Sequence, residues 1–161
     1  MSEITLSFQC EDYLRQWFIN DAGGSHPVRL RKNSPESSCL QFCLQPKSKA
    51  GKQPEIEGTP LIVYIPEFRY KNPDDYNYIS NTGRIAFIKI LKQRFDLELW
   101  NDLHQFANFG IRKDELIYAW MESHEIEPTE KNFNAIAKRL QRMRERSLSR
   151  IRVRNFRKKR K

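Results

Sequence analysis

Arg112-Lys113-Asp114-Glu115-Leu116-Ile117-Tyr118-Ala119-Trp120-Met121-Glu122-Ser123-His124, followed by Glu125-Ile126-Glu127-Pro128-Thr129, is the stretch around which the chain is organised. Leu116, Ile117, Trp120, Met121 and His124 recur at helical spacing and make one apolar stripe, with Lys113, Asp114, Glu115, Glu122 and Ser123 mostly off it. The spacing predicts a short amphipathic helix from about Arg112 to His124. Pro128 supplies the stop, because the residue before a proline is pushed out of the helical region and a proline cannot continue the hydrogen-bond ladder. Thr129 is then a natural N-cap for a second helix, with Glu130 in its first turn, where a carboxylate favours the positive end of the helix dipole. Phe133, Ile136, Ala137, Leu140 and Met143 line one face of that helix, and Lys131, Asn134, Lys138, Gln141, Arg142 and Arg146 project from the other side. A pair of helices over 112–148, joined by a short turn and with a basic outer face on the second, is what a helix-turn-helix reader of DNA requires, its second helix lying in the major groove.

Any helical hairpin in a small bundle has the same stripes, so the nucleic-acid reading rests on charge. Of the 29 Lys and Arg residues in the chain, 13 lie from Lys138 onward, where Glu145 is the sole acid. The remainder holds 16 bases against 19 acids, so a net charge of +9 divides into a slightly acidic body and a strongly basic end. Such a block repels itself, frays without a polyanion, and gains affinity for phosphates by displacing condensed counterions. Arg150, Arg152, Arg154, Arg157, Lys158, Lys159, Arg160 and Lys161 make up a basic tail over 149–161 with little apolar anchoring. They are expected to contact phosphates without reading sequence, whereas Asn134, Lys138, Gln141 and Arg142 are positioned to meet base edges.

Asp114-Glu115-Leu116-Ile117-Tyr118-Ala119-Trp120-Met121-Glu122, with Asn132-Phe133-Asn134-Ala135-Ile136-Ala137-Lys138-Arg139, resembles small basic proteins carried by bacterial prophages and by transposable or conjugative elements. The likeness extends upstream through Asp74-Asp75-Tyr76-Asn77-Tyr78 and Arg94-Phe95-Asp96. The resemblance implies a mobile-element setting and no catalytic residues.

Length and composition set the frame. At 161 residues the chain suits a small domain followed by an arm. Hydrophobic residues at 39% exclude wholesale disorder, and no run of about 20 apolar residues offers a membrane span. Met1-Ser2-Glu3 lacks the basic start of a signal peptide, and three cysteines are an odd number in a chain too large to need staples, so a cytoplasmic location is expected.

Taken in order, Ile4-Thr5-Leu6-Ser7-Phe8 alternates like a half-buried strand, and Tyr13, Leu14, Trp17 and Phe18 follow at helical spacing. Val28-Arg29-Leu30 suggests a short strand. Ser34-Pro35-Glu36 opens a helix that buries Leu40, Cys43 and Leu44. Gln45 to Thr59 has turn composition and no apolar period. Leu61-Ile62-Val63-Tyr64-Ile65, closed by Pro66, suits a strand buried on both faces, and if it pairs beside Ile4 to Phe8 a small sheet covered by the two early helices results. These elements predict an α+β unit over 1–70, followed by an all-helical region over 71–148. In that region Ile85, Phe87, Ile88, Ile90 and Leu91 predict a deeply buried helix from Thr82 to Phe95. Asp96 is expected to cap a separate helix that runs to Ala107, ends at Gly110 and closes the core of the helical pair.

Other constellations carry less. Cys10, His26, Cys39 and Cys43 are of zinc-ligand type but scattered, so small buried hydrophobes are the expected role of the cysteines. His104 and His124 sit by apolar stripes without a recognisable nucleophile partner and are expected to be structural. Asp74 and Asp75 read as turn formers. Arg69, Tyr70, Lys71, Tyr76 and Tyr78 interleave bases and aromatics, as single-strand binders do and as tyrosine-packed loops also do. With no phosphate cradle and no nucleophile elbow, neither an enzyme, a cofactor nor a metal is expected. The expected function is an accessory nucleic-acid binder, with DNA preferred to RNA as partner and a homodimer the common arrangement for readers of this size. The alternative is an interaction protein that attaches to an acidic partner or a nucleoprotein assembly, or binds RNA by shape.

Overall fold

Alternating burial of Leu6 and Phe8 on one side of a short strand sets the first layer of the fold. The computed structural model describes residues 3–51, 54–108 and 112–158. Strand β1 (Thr5–Phe8) is followed by α1 (Asp12–Asp21) and α2 (Pro35–Cys43), then by β2 (Leu44–Gln45), β3 (Leu61–Tyr64) and β4 (Tyr78–Ile79). Helices α3 (Asn81–Leu103), α4 (Lys113–Ser123) and α5 (Glu130–Lys158) follow. The architecture is α+β, with two small antiparallel sheets and five α-helices among the described residues.

Contacts divide the chain into two compact units, Met1–Arg94 and Phe95–Lys161, so the division falls within α3. The composition of the sequence suggests a first boundary near residue 70 instead, where the prolines and turn residues are.

In the first unit β1 pairs with β3, from Thr5 opposite Tyr64 to Phe8 opposite Leu61. Val28 adds a single parallel bridge to Val63, with its N–H donating to the Ile62 carbonyl at 2.9 Å, where the sequence suggested a strand. β3 alternates buried Leu61 and Val63 with half-buried Ile62 and Tyr64, so it covers a core on one face. A two-sided burial was expected from its unbroken apolar run. Arg29 lies 4.1 Å over the Tyr64 ring on the other face, which is how a β-branched and aromatic run serves a one-sided strand. β2 and β4 form the second ladder, Leu44 opposite Ile79. Two residues per strand leave no period to read, and neither strand is predicted by the sequence. Ser34 caps α2 by accepting from Ser37 N at 3.1 Å, with Pro35 next to it. Lys71 Nζ donates to the Gln41 and Leu44 carbonyls, satisfying the end of the same helix.

The second unit is a three-helix core. Phe95, Leu99 and Leu103 of α3, Ile117, Trp120 and Met121 of α4, and Ile136 and Leu140 of α5 are all buried. One correction concerns α3. A single helix runs from Asn81 to Leu103, and Asp96 is an interior residue rather than a cap. The reason is phase: Phe87, Leu91, Phe95, Leu99 and Leu103 keep the four-residue step unbroken, with no glycine or proline to stop it. A second correction follows. The deep burial expected of this helix holds for Phe87 and Leu91, whereas Ile88 and Ile90 are half-buried and Ile85 is 62% exposed.

Candidate nucleic-acid interface

The turn between α4 and α5 is built differently from its sequence signal. α4 ends at Ser123, four residues before Glu127-Pro128. Ile126 N donates to the Met121 carbonyl at 2.9 Å around Glu125, which sits at φ 54° in the left-handed region. This is the helix-closing geometry that glycine ordinarily supplies, and Ile126 just beyond it is buried. Asn132, buried at the start of α5, donates from Nδ2 to the Glu127 carbonyl at 3.0 Å. Thr129 is the N-cap as expected, its Oγ1 accepting from Asn132 N at 3.2 Å. Tyr118 and Phe133 stack with centroids 4.5 Å apart across the hairpin.

α5 carries the charge. Its 29 residues hold eleven Lys and Arg and two Glu. Lys131, Asn134, Lys138, Gln141, Arg142 and Arg146 are exposed, on the side opposite buried Ile136 and Leu140. Gln141 is engaged within the helix, its Nε2 donating to Glu145 Oε1 at 3.0 Å, so it meets the one acid of the basic region. Arg139 turns inward, with Nη1 at 2.7 and 2.9 Å from the two Asp96 carboxylate oxygens, and thereby fastens α5 to α3.

Arg150, Arg152 and Arg154 are exposed and helical, since α5 continues through Lys158. The 149–161 segment is therefore, as far as it is described, an extension of the second helix rather than a separate tail. The side chains of Arg157 and Lys158, and all of Lys159, Arg160 and Lys161, lie outside the described residues, as does Gly110. Burial ends with half-buried Met143, Arg144 and Ser147, and every described side chain from Leu148 onward is exposed. Arg142, Arg146, Arg150 and Arg154 are spaced four apart, which places like charges on successive turns and opposes the helix.

The remaining candidates have structural partners. Burial pushes the Cys10 thiol up to about 12. Burial and neighbouring Cys43 raise Cys39 to about 11. Thiols so held are neutral and poor ligands. His26 Nε2 accepts from Ile62 N at 3.0 Å, and partial burial, with Arg15 nearby, holds its imidazole below the usual value. His104 Nδ1 donates to the Trp100 carbonyl. Asp74 N donates to Asn72 Oδ1 at 3.2 Å, a turn contact. Of the Arg69 to Tyr78 group, Lys71 is used against α2, whereas Tyr70 stands 79% exposed beside Arg69.

One constellation has no sequence signal. Glu98 and Asp102 on α3 and His124 at the end of α4 bring one ligand atom each within 4.8 Å of one another, the one such group of acids, histidines and cysteines among the described residues. Residues 98 and 124 stand 26 apart in the chain, and only packing of the two helices unites them. Among the described residues no helix is long and apolar enough to cross a membrane. Comparison with family models, with curated proteins and with solved structures finds no match.

Proposed function

We propose that the protein binds nucleic acid, duplex DNA in the first place, through the outer face of α5. The observation that supports this reading is a continuous basic helix whose last eleven residues have no buried side chain among those described. A helix end with arginines on successive turns and no buried side chain among those described is opposed by its own charge, and a polyanion removes that repulsion. At 1.5 Å per residue α5 is about 43 Å long, somewhat more than one turn of B-form DNA. Asn134, Lys138 and Arg142 are held by the buried opposite face and are the readers of base edges in this scheme. Arg146, Arg150, Arg152 and Arg154 follow the phosphates. From the resemblance noted above, the setting we propose is a prophage or another mobile element, with regulation of transcription or assistance to recombination as the task and no catalysis by this chain.

A second reading has its own support. Leu148, Ile151, Val153 and Phe156 are 44 to 59% exposed among the arginines, which suits an acidic protein surface or folded RNA better than a bare phosphate backbone. Anisotropy titrations with duplex DNA, single-stranded DNA and structured RNA of equal length decide between them. The expected result is tightest binding to duplex, with Arg142→Ala or Asn134→Ala losing about 1 to 3 kcal/mol on a selected site and much less on random sequence. Equal losses on both substrates remove the reading role of α5, and no binding at low salt removes the nucleic-acid function.

A further inference from the structure

The proton arrangement at His124 points to a cation. His124 Nδ1 lies 2.8 Å from the Trp120 carbonyl oxygen, which can only accept, so Nδ1 carries hydrogen and the neutral ring presents its lone pair at Nε2. That nitrogen faces Glu98 Oε1 at 3.0 Å. A lone pair and a carboxylate oxygen at this distance repel unless a cation lies between them. A proton satisfies the pair alone. Asp102, one turn along α3 from Glu98 and held by the Trp120 indole N–H, brings a second carboxylate into the same space, so that three ligand atoms lie within 4.8 Å of one another.

We propose that Glu98, Asp102 and His124 form a binding site for a first-row divalent transition ion of the zinc type. The donor set is one imidazole nitrogen and two carboxylates, three protein ligands that leave a position for water. Ligand atoms around a tetrahedral zinc ion stand about 3.3 Å apart, and the present atoms, 3.0 Å apart for His124 and Glu98 and all within 4.8 Å, are near that spacing. An imidazole ligand selects against magnesium and calcium, which take oxygen.

The surrounding contacts are those a metal site uses to aim its ligands. Trp120 orients both neighbours: its carbonyl fixes the tautomer of His124, and its indole Nε1 donates to Asp102 Oδ2 at 2.9 Å. Its ring also stacks on the imidazole, with centroids 4.1 Å apart. Ser123 Oγ, 2.9 Å from Nδ1, lies on the same side as the carbonyl and leaves Nε2 to the carboxylates. A bound ion would tie α4, the first helix of the hairpin, to α3, and so fix the base on which α5 is presented. The site stands independently of what α5 binds.

The test uses the full chain, freed of metal by chelation, with Zn²⁺ and Co²⁺ as probes. One equivalent of Co²⁺ is expected to bind with visible absorption of a nitrogen and oxygen site and without a thiolate charge-transfer band. Zn²⁺ at 100-fold excess over its Kd is expected to raise the Tm by roughly 5 to 10 °C, whereas Mg²⁺ and Ca²⁺ leave it unchanged. Glu98→Gln and His124→Gln should each weaken Co²⁺ binding tenfold or more, and the combined Cys10→Ser, Cys39→Ser and Cys43→Ser variant should retain it. If His124→Gln fails to fold, Glu98→Gln, which keeps the shape of the side chain, decides alone. Absence of stoichiometric binding, binding that survives Glu98→Gln, dependence on the cysteines, or equal stabilisation by Mg²⁺ overturns the proposal.

Discussion

Trp120 shows how much a single residue can hold. It is 5% exposed, meets Phe95 edge-on at 5.4 Å, and gives its indole hydrogen to Asp102. Trp120→Ala should therefore destabilise the second unit by roughly 3 to 5 kcal/mol, read by thermal or denaturant unfolding. Its effect on nucleic-acid affinity should follow that loss of folded protein and no more. A variant that keeps its Tm and loses affinity would make Trp120 a base-stacking residue instead. Arg94 does comparable work in the first unit. Its guanidinium bonds Glu36 at 2.6 Å and Asp21 at 3.0 Å, and the Glu36 side chain is only 2% exposed. Arg94 is held protonated against its own burial by these carboxylates. Arg94→Met strands a buried carboxylate and should cost about 3 kcal/mol, while adding Glu36→Leu should recover much of it. Equal stability of the single and double variants would show that the pair is not a buried one.

At the scale of the element, the two ends of the helical hairpin behave differently. Glu125 occupies a left-handed position that glycine adopts without strain. Glu125→Gly should raise stability by about 0.5 to 1 kcal/mol, measured as a shift in the denaturation midpoint. A loss of stability would mean that the Glu125 side chain makes a contact worth more than the strain. For α5, burial marks the limit of what the core needs. Truncation after Ser147 should leave the melting transition unchanged and remove most nucleic-acid binding. Truncation after Leu140 also removes half-buried Met143 and Arg144, and should lower the Tm by several degrees. If removal of 148–161 unfolds the second unit, the exposed apolar residues of that segment serve the core.

For the whole molecule the governing quantity is the partition of charge, a slightly acidic body and an end with 13 bases and one acid. Binding to duplex DNA should weaken steeply with ionic strength, the logarithm of affinity falling linearly with the logarithm of salt concentration. Changing Arg150, Arg152 and Arg154 together to Ala should reduce that slope by up to about 2.7, since each phosphate contact contributes about 0.9. An unchanged slope would mean that the distal half of α5 does not touch the backbone. The same charge argument explains why the outward face of α5 was legible without coordinates: periodicity separates buried from exposed positions, and composition supplies the sign.

The amino-acid sequence by itself determined the α+β class, the strand at Thr5–Phe8, the cap at Thr129 and the exposed side of α5. Each of these depends on neighbours within a few residues or on an alternation that repeats. The tertiary structure decided the rest. Whether Asp96 caps a helix or lies inside one depends on Arg139, 43 residues away, and on a buried stripe that continues through it. The two-residue ladder of β2 with β4 depends on a partner strand, because two residues have no period. The meeting of Glu98, Asp102 and His124 depends on helix packing alone, since neither the spacing of the acids on one helix nor a histidine at the end of another specifies that the two helices will lie side by side.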